Sequence, residues 1–176
     1  LNDHRYDITA RATDNAGNTV SETVRMVYDV AKPTTTVTLP VPPYATALPT
    51  ITGQATDNPG GTTYTSPSLI STSAVTVAVK LVGSNWWNGA NFTASVDPVY
   101  FAVTNTTTTN PNTWSYSVPA GLQTALVSGN NYRIVPRGTD YAGNAEFGPL
   151  NGNVPASVGT TVLFDSAMVI STITFP

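Results

Sequence analysis

Two stretches of this chain repeat each other. Tyr6–Asn18 reads YDITARATDNAGN, and Tyr132–Asn144 reads YRIVPRGTDYAGN, 126 residues later. Val27–Pro40 (VYDVAKPTTTVTLP) returns as Leu163–Pro176 (LFDSAMVISTITFP), 136 residues later. The difference places an insertion in the later copy at 146–159, EFGPLNGNVPASVG. A period of this length means one folded unit per repeat. The 176 residues then divide into three parts. Residues 1–31 are the closing hairpin of a preceding repeat, 32–164 are the complete repeat, and 165–176 are the first strand of a following one. With no initiator Met and no leader peptide, the stretch reads as cut from something longer.

The repeat is built of strands. Thr is β-branched and prefers extended backbone, and the chain has 30 Thr beside 13 Gly and 14 Pro to make turns. Tyr6, Ile8, Ala10 and Ala12 alternate on one side of Asp14–Asn18; Val20, Val24, Met26 and Tyr28 follow on the other. Period-two patterns around a turn rich in Asp, Asn and Gly make a hairpin. In the complete repeat, strands are expected at Thr34–Leu39, Thr50–Thr56, Val75–Leu81, Val99–Thr104, Trp114–Val118, Tyr132–Thr139 and Thr160–Phe164. Seven short strands with long polar loops predict an all-β, two-sheet sandwich. Leu122–Val127 supports one helical turn at most.

Composition excludes several functions. Charged residues are only 10% of the chain and the net charge is -3. Seven scattered Lys and Arg cannot form the basic stripe that nucleic acid requires. No apolar run is long enough for a membrane-spanning helix. A single histidine, His4, without any cysteine supplies neither a zinc site nor the base of a serine triad. The carboxylates sit in turn-like motifs rather than as a catalytic pair, so the expectation is a protein that is not an enzyme. Lys80 sits on the face of its strand opposite Val79 and Leu81, which argues against an isopeptide cross-link.

Several motifs occur in a fixed order: ITGQATDN at 51–58, Trp86-Trp87-Asn88-Gly89 followed by Phe92, WSYSVP at 114–119, and a Tyr-led strand ending in TD-x-AGN at 13–18 and 139–144. Asp29 and Pro33 stand at the junction between repeats. In these features the chain resembles the bacterial immunoglobulin-like repeats of large secreted and surface adhesin-like proteins. Val169 departs from that pattern at the second junction, where the linker Pro is missing, and the loops at 58–74 and 145–160 are longer than the pattern expects. The resemblance implies an immunoglobulin-like β-sandwich and an extracellular, cell-surface location. It also implies structural or adhesive work in a filament, with copies of the chain or adjacent repeats as head-to-tail partners. Tyr132 suits a tyrosine corner whose OH reaches a backbone carbonyl.

Four groups of residues are candidates for ligand chemistry. Asp14, Asp29 and Asp57 lie near the first junction, and Asp140 and Asp165 near the second. Calcium prefers such all-oxygen sets, and the resemblance implies it here, since some related repeats bind calcium at such junctions. No other cofactor is expected. Trp86 and Trp87 are adjacent, so they point to opposite faces of a strand; an exposed one beside Asn85, Asn88 and Asn91 would stack on a sugar. This gives the alternative of a carbohydrate-binding accessory module with glycans as partners. Asn91 and Asn105 begin N-x-T sequons, and Thr106–Thr109 suits O-glycosylation.

Overall fold

The computed structural model describes residues 4–57, 75–93, 95–107, 111–147, 154 and 158–167, with the side chains of His4, Arg5 and Val27 excepted. The loop at 58–74, Thr108–Thr109 and the expected strand beyond residue 167 lie outside the described residues.

The elements in chain order are β1 (His4–Thr13), β2 (Thr19–Tyr28), β3 (Thr34–Leu39), β4 (Tyr44–Ala45), β5 (Thr50–Thr56), β6 (Thr76–Leu81), β7 (Phe101–Ala102), β8 (Thr104–Asn105), β9 (Asn112–Ser117), α1 (Ala120–Ala125), β10 (Asn131–Arg137) and β11 (Thr160–Phe164). They form a hairpin, β1-β2, and two larger sheets ordered β4-β11-β10-β6-β7 and β3-β5-β9-β8. Among the described residues every strand pairing is antiparallel except β11 with β4. The chain is therefore all-β and β-sandwich-like.

Alternation builds the core. Ile51, Ala55, Trp114 and Tyr116 from one sheet meet Val77, Val79, Tyr132, Ile134, Val162 and Phe164 from the other in a single apolar cluster. Their intervening neighbours face outward, as period two demands. Trp87, Phe92, Tyr132 and Phe164 form a chain of tilted and edge-on rings with centroids 5.3, 5.5 and 6.4 Å apart. Such contacts stabilise beyond area burial alone.

The outer face of the five-stranded sheet is covered as well. Ala78 and Val135 point outward, and a second cluster gathers there from Trp86, Val154, Tyr100, Phe147 and Val158. Phe147, Val154 and Val158 all come from the 146–159 insertion, and these residues of it cover the outer face. Arg133 fastens it: its Nε and Nη2 donate to the Val158 carbonyl (3.0 and 2.6 Å) and its Nη1 to the Val154 carbonyl (3.2 Å). Burial lowers the Arg133 pKa from its usual value, and the guanidinium gives its donors to two backbone carbonyls of the loop.

Three expectations change. The strand expected at Val99–Thr104 is two short strands in different sheets, because the chain crosses between layers at Val103. β4 was not foreseen; it is two residues long. The segment 120–125 is a six-residue helix, slightly earlier than the single turn expected at 122–127.

Candidate junction site

The turn TD-x-AGN occurs twice and is built the same way each time. Asp14 Oδ1 accepts from the backbone N–H of Ala16 and Asn18 (2.9 Å each), and its Oδ2 accepts from Asn18 Nδ2 at 2.8 Å. Asp140 Oδ1 accepts from the Asn144 N–H at 2.7 Å and its Oδ2 from Asn144 Nδ2 at 2.8 Å. In both, a short carboxylate substitutes for missing ladder bonds and the glycine takes positive φ (Gly17 88°, Gly143 91°).

Surroundings separate the two turns. Asp14 is exposed, and hydrogen bonding, chiefly from Asn18, lowers its pKa below the ordinary carboxylate value. Asp140 is buried. Its turn folds back on the linker after β2, where Asn144 Nδ2 also donates to the Asp29 carbonyl at 3.0 Å. Asp57, at the end of β5 and only 1% exposed, reaches the same place. Carboxylate oxygens of Asp29, Asp57 and Asp140 all lie within 4.8 Å of one another. Asp29 is half-buried, and its Oδ1 accepts from the Ala31 N–H at 3.0 Å.

The structure thus regroups the sequence candidates. Asp29, Asp57 and Asp140 converge, although Asp140 lies in the last turn of the repeat and Asp29 before its first strand. Asp14 stays with its own turn. Asp165 is exposed just past the end of β11, where its Oδ1 accepts from Ser128 Oγ (3.2 Å) and the Ala167 N–H (3.1 Å).

Sequence reasoning missed two residues. Asn144 ties the turn to the linker. Asn112, fully buried, pairs with Ala55 across the β5-β9 ladder, on the inner face that Asp57 shares two residues further on. Neither its Oδ1 nor its Nδ2 has a hydrogen-bond partner among the described residues. The recurrence of Asn at 18 and 144 was a signal for the first; an Asn opening a strand of otherwise ordinary pattern gave none for the second.

At about 4.8 Å, two carboxylates repel by about 3–4 kcal/mol with the screening typical of protein sites. A hard divalent cation reverses that sign. Three carboxylates are donors of the type calcium takes, and six to eight oxygens are the number it needs.

The other candidates fare differently. Both indoles are fully buried, Trp87 between the sheets and Trp86 under the outer loops with Lys80 Nζ 5.4 Å from its ring centroid. They do point to opposite faces, but the insertion closes over the second face, so neither offers a sugar a ring to stack on. Asn91 is exposed in a tight turn, its Oδ1 accepting from Thr93 N–H and Oγ1 (3.0 and 2.8 Å); Asn105 is half-buried in β8. Tyr132 is buried, but its OH accepts from the Val127 N–H at 2.8 Å rather than donating to a carbonyl. No family model and no curated protein matches this chain.

Proposed function

We propose that this chain is a non-catalytic structural and adhesive repeat module of a bacterial extracellular surface protein or filament. Its unit is an immunoglobulin-like sandwich joined head-to-tail to copies of itself or to adjacent repeats. The observation that carries the reading is the linker drawn into the sandwich: Asp29 converges with Asp57 and Asp140, and Asn144 bridges linker and turn. A linker gripped in this way holds its neighbour at a set angle, which is what a spacer or filament needs. Calcium at Asp29, Asp57 and Asp140, with Asn112 as a further oxygen donor, would set that grip. A carbohydrate-binding role has no supporting observation once Trp86 and Trp87 are buried.

Calcium titration tests this. At about 100 times Kd, binding to the folded state adds about 2.7 kcal/mol, which raises Tm by about 5–10 °C for a chain of this size. Chelation should loosen the junction, seen by small-angle scattering, before the sandwich melts. Asp57→Asn should remove the calcium response. If neither Tm nor scattering changes with calcium, the cation reading falls.

A further inference from the structure

The hairpin β1-β2 and the pair β10-β11 are the same structure in two environments. Tyr6 pairs with Met26 and Ile8 with Val24; at the repeat offsets these become Tyr132 with Val162 and Ile134 with Thr160, which are the pairs observed. The register is conserved although the connecting segment differs by ten residues. In β10-β11 this face is core: Ile134 and Val162 are 0% and 1% exposed. In the hairpin, Ile8 is 56% and Met26 44% exposed, and Val20, Val24 and Tyr28 are exposed too. Among the described residues, β1 and β2 pair only with each other. A two-stranded hairpin alone is marginal in water, and a row of apolar side chains with two open edges invites a partner.

The partner's chemistry is written in the other copy. β10 is covered on its free edge by β6, with Tyr132 opposite Leu81 and Ile134 opposite Val79. β11 is covered by β4, and the face is closed by Ile51, Trp114 and Trp87. We infer that the hairpin β1-β2 completes a second sandwich of this same repeat type, in which the counterpart of β6 pairs with β1, that of β4 pairs with β2, and Tyr6, Ile8, Met26 and Tyr28 fill the core. A second whole copy of this chain is not the occupant, because its β10-β11 already fills that place. The strands that fit are the counterparts of residues 32–130 without a closing hairpin of their own. This rests on the repeat-module reading and names the hairpin's partner.

The test extends the chain. Residues 32–130 are placed directly before Arg5, so that Asn130 is followed by residues 5–176 at the spacing of the complete repeat. Hydrogen exchange of β1 and β2 is compared with that in the 176-residue chain. Exchange in the hairpin should slow at least 100-fold, to the level of β10-β11 in the same molecule. Ile8→Lys, on the apolar face, should abolish the protection, and Thr9→Lys, on the other face, should keep it. The inference is overturned by an added segment that stays unfolded or by hairpin exchange that does not slow. It is equally overturned if the 176-residue chain already protects the hairpin by self-association in sedimentation. The calcium response of residues 29, 57 and 140 is read on the unextended chain, so either result leaves the junction reading to its own test.

Discussion

Gly53 shows how tightly single residues are constrained. It sits in β5 between β3 and the Trp114 ring, and a Cβ there would drive into the Thr36 carbonyl and the indole together. Backbone on one side and a fully buried indole on the other leave nothing free to yield. Gly53→Ala should therefore cost more than 3 kcal/mol, the upper range of overpacking, or yield no soluble protein. Gly143→Ala has open space around its Cβ and meets only the strain of positive φ, about 1–2 kcal/mol. Urea unfolding of the two variants checks the order. Ionisation gives a second handle at this scale. Burial raises the pKa of Tyr116, and burial likewise raises that of Tyr100. Both phenols are neutral when folded, while in the unfolded chain they ionise near pH 10. The stability they support is complete below that pH and is lost as pH rises through the raised folded values. The urea midpoint should fall above about pH 10 in step with phenolate absorbance, and less steeply in Tyr116→Phe.

Among the elements, the insertion is the clearest case of a loop with structural work. Arg133 holds it through three hydrogen bonds, and Arg137 stands over the rings of Tyr100 and Phe147, 5.8 Å from each centroid. Arg133→Ala removes donors from two carbonyls, each loss costing about 1–3 kcal/mol where the carbonyl stays buried. The expected outcome is local: faster proteolysis within 146–159 and increased exposure of Trp86 by fluorescence, with the inter-sheet core intact. Unchanged cleavage would show that the apolar contacts alone hold the cover. This layer also marks how far the sequence was readable. β3, β5 and β11 have the bounds their alternation predicts; β5 and β11 carry a period of two on one core face, while β3 is an edge strand whose register shifts between Val37 and Leu39. β7 and β8 were read as one strand because alternation does not reveal a change of sheet at Val103. β4 is too short to carry any period, and α1 too short to show a helical one. The insertion was visible as an offset between copies, yet nothing in its Gly- and Pro-rich sequence said that it would cover Trp86. For the site, Asp29, Asp57 and Asp140 were legible as junction carboxylates. Their grouping was not, since Asp140 meets Asp29 only when the last turn of the repeat folds back beside the linker.

At the scale of the whole molecule, a repeat working in the proposed filament would be loaded between its entry at β3 and its exit after β11. Those two strands lie in different sheets, so tension along the chain tends to part the layers at their ends. Against this stands the parallel pairing of β11 with β4, the one parallel strand pair among the described residues, with Leu163 N–H donating to the Pro43 carbonyl at 2.8 Å and Asp165 N–H to the Ala45 carbonyl at 2.9 Å. Because β4 follows β3 closely and runs parallel to β11, pulling the two ends slides these strands lengthwise. The hydrogen bonds that link the two strands across the direction of pull are then stressed together instead of one after another. An antiparallel closure in the same place would open like a zipper, bond by bond. The two bonds are few, but their position on the load path gives them more effect on force than on equilibrium stability. Leu163→Pro deletes the donor to Pro43, while the bond from Phe164 N–H to the Asn130 carbonyl on the β10 side remains available. Losing one such bond costs about 0.5–1.5 kcal/mol at equilibrium, with a further cost if the ring strains β11. Single-molecule pulling from residues 32 and 165 should show a clearly lower unfolding force for Leu163→Pro. A control of similar equilibrium cost, Tyr132→Phe, breaks the bond from Val127 and lies off the β4-β11 contact, so it should keep most of the force. Equal forces in the two variants would mean that the load is borne elsewhere in the sandwich.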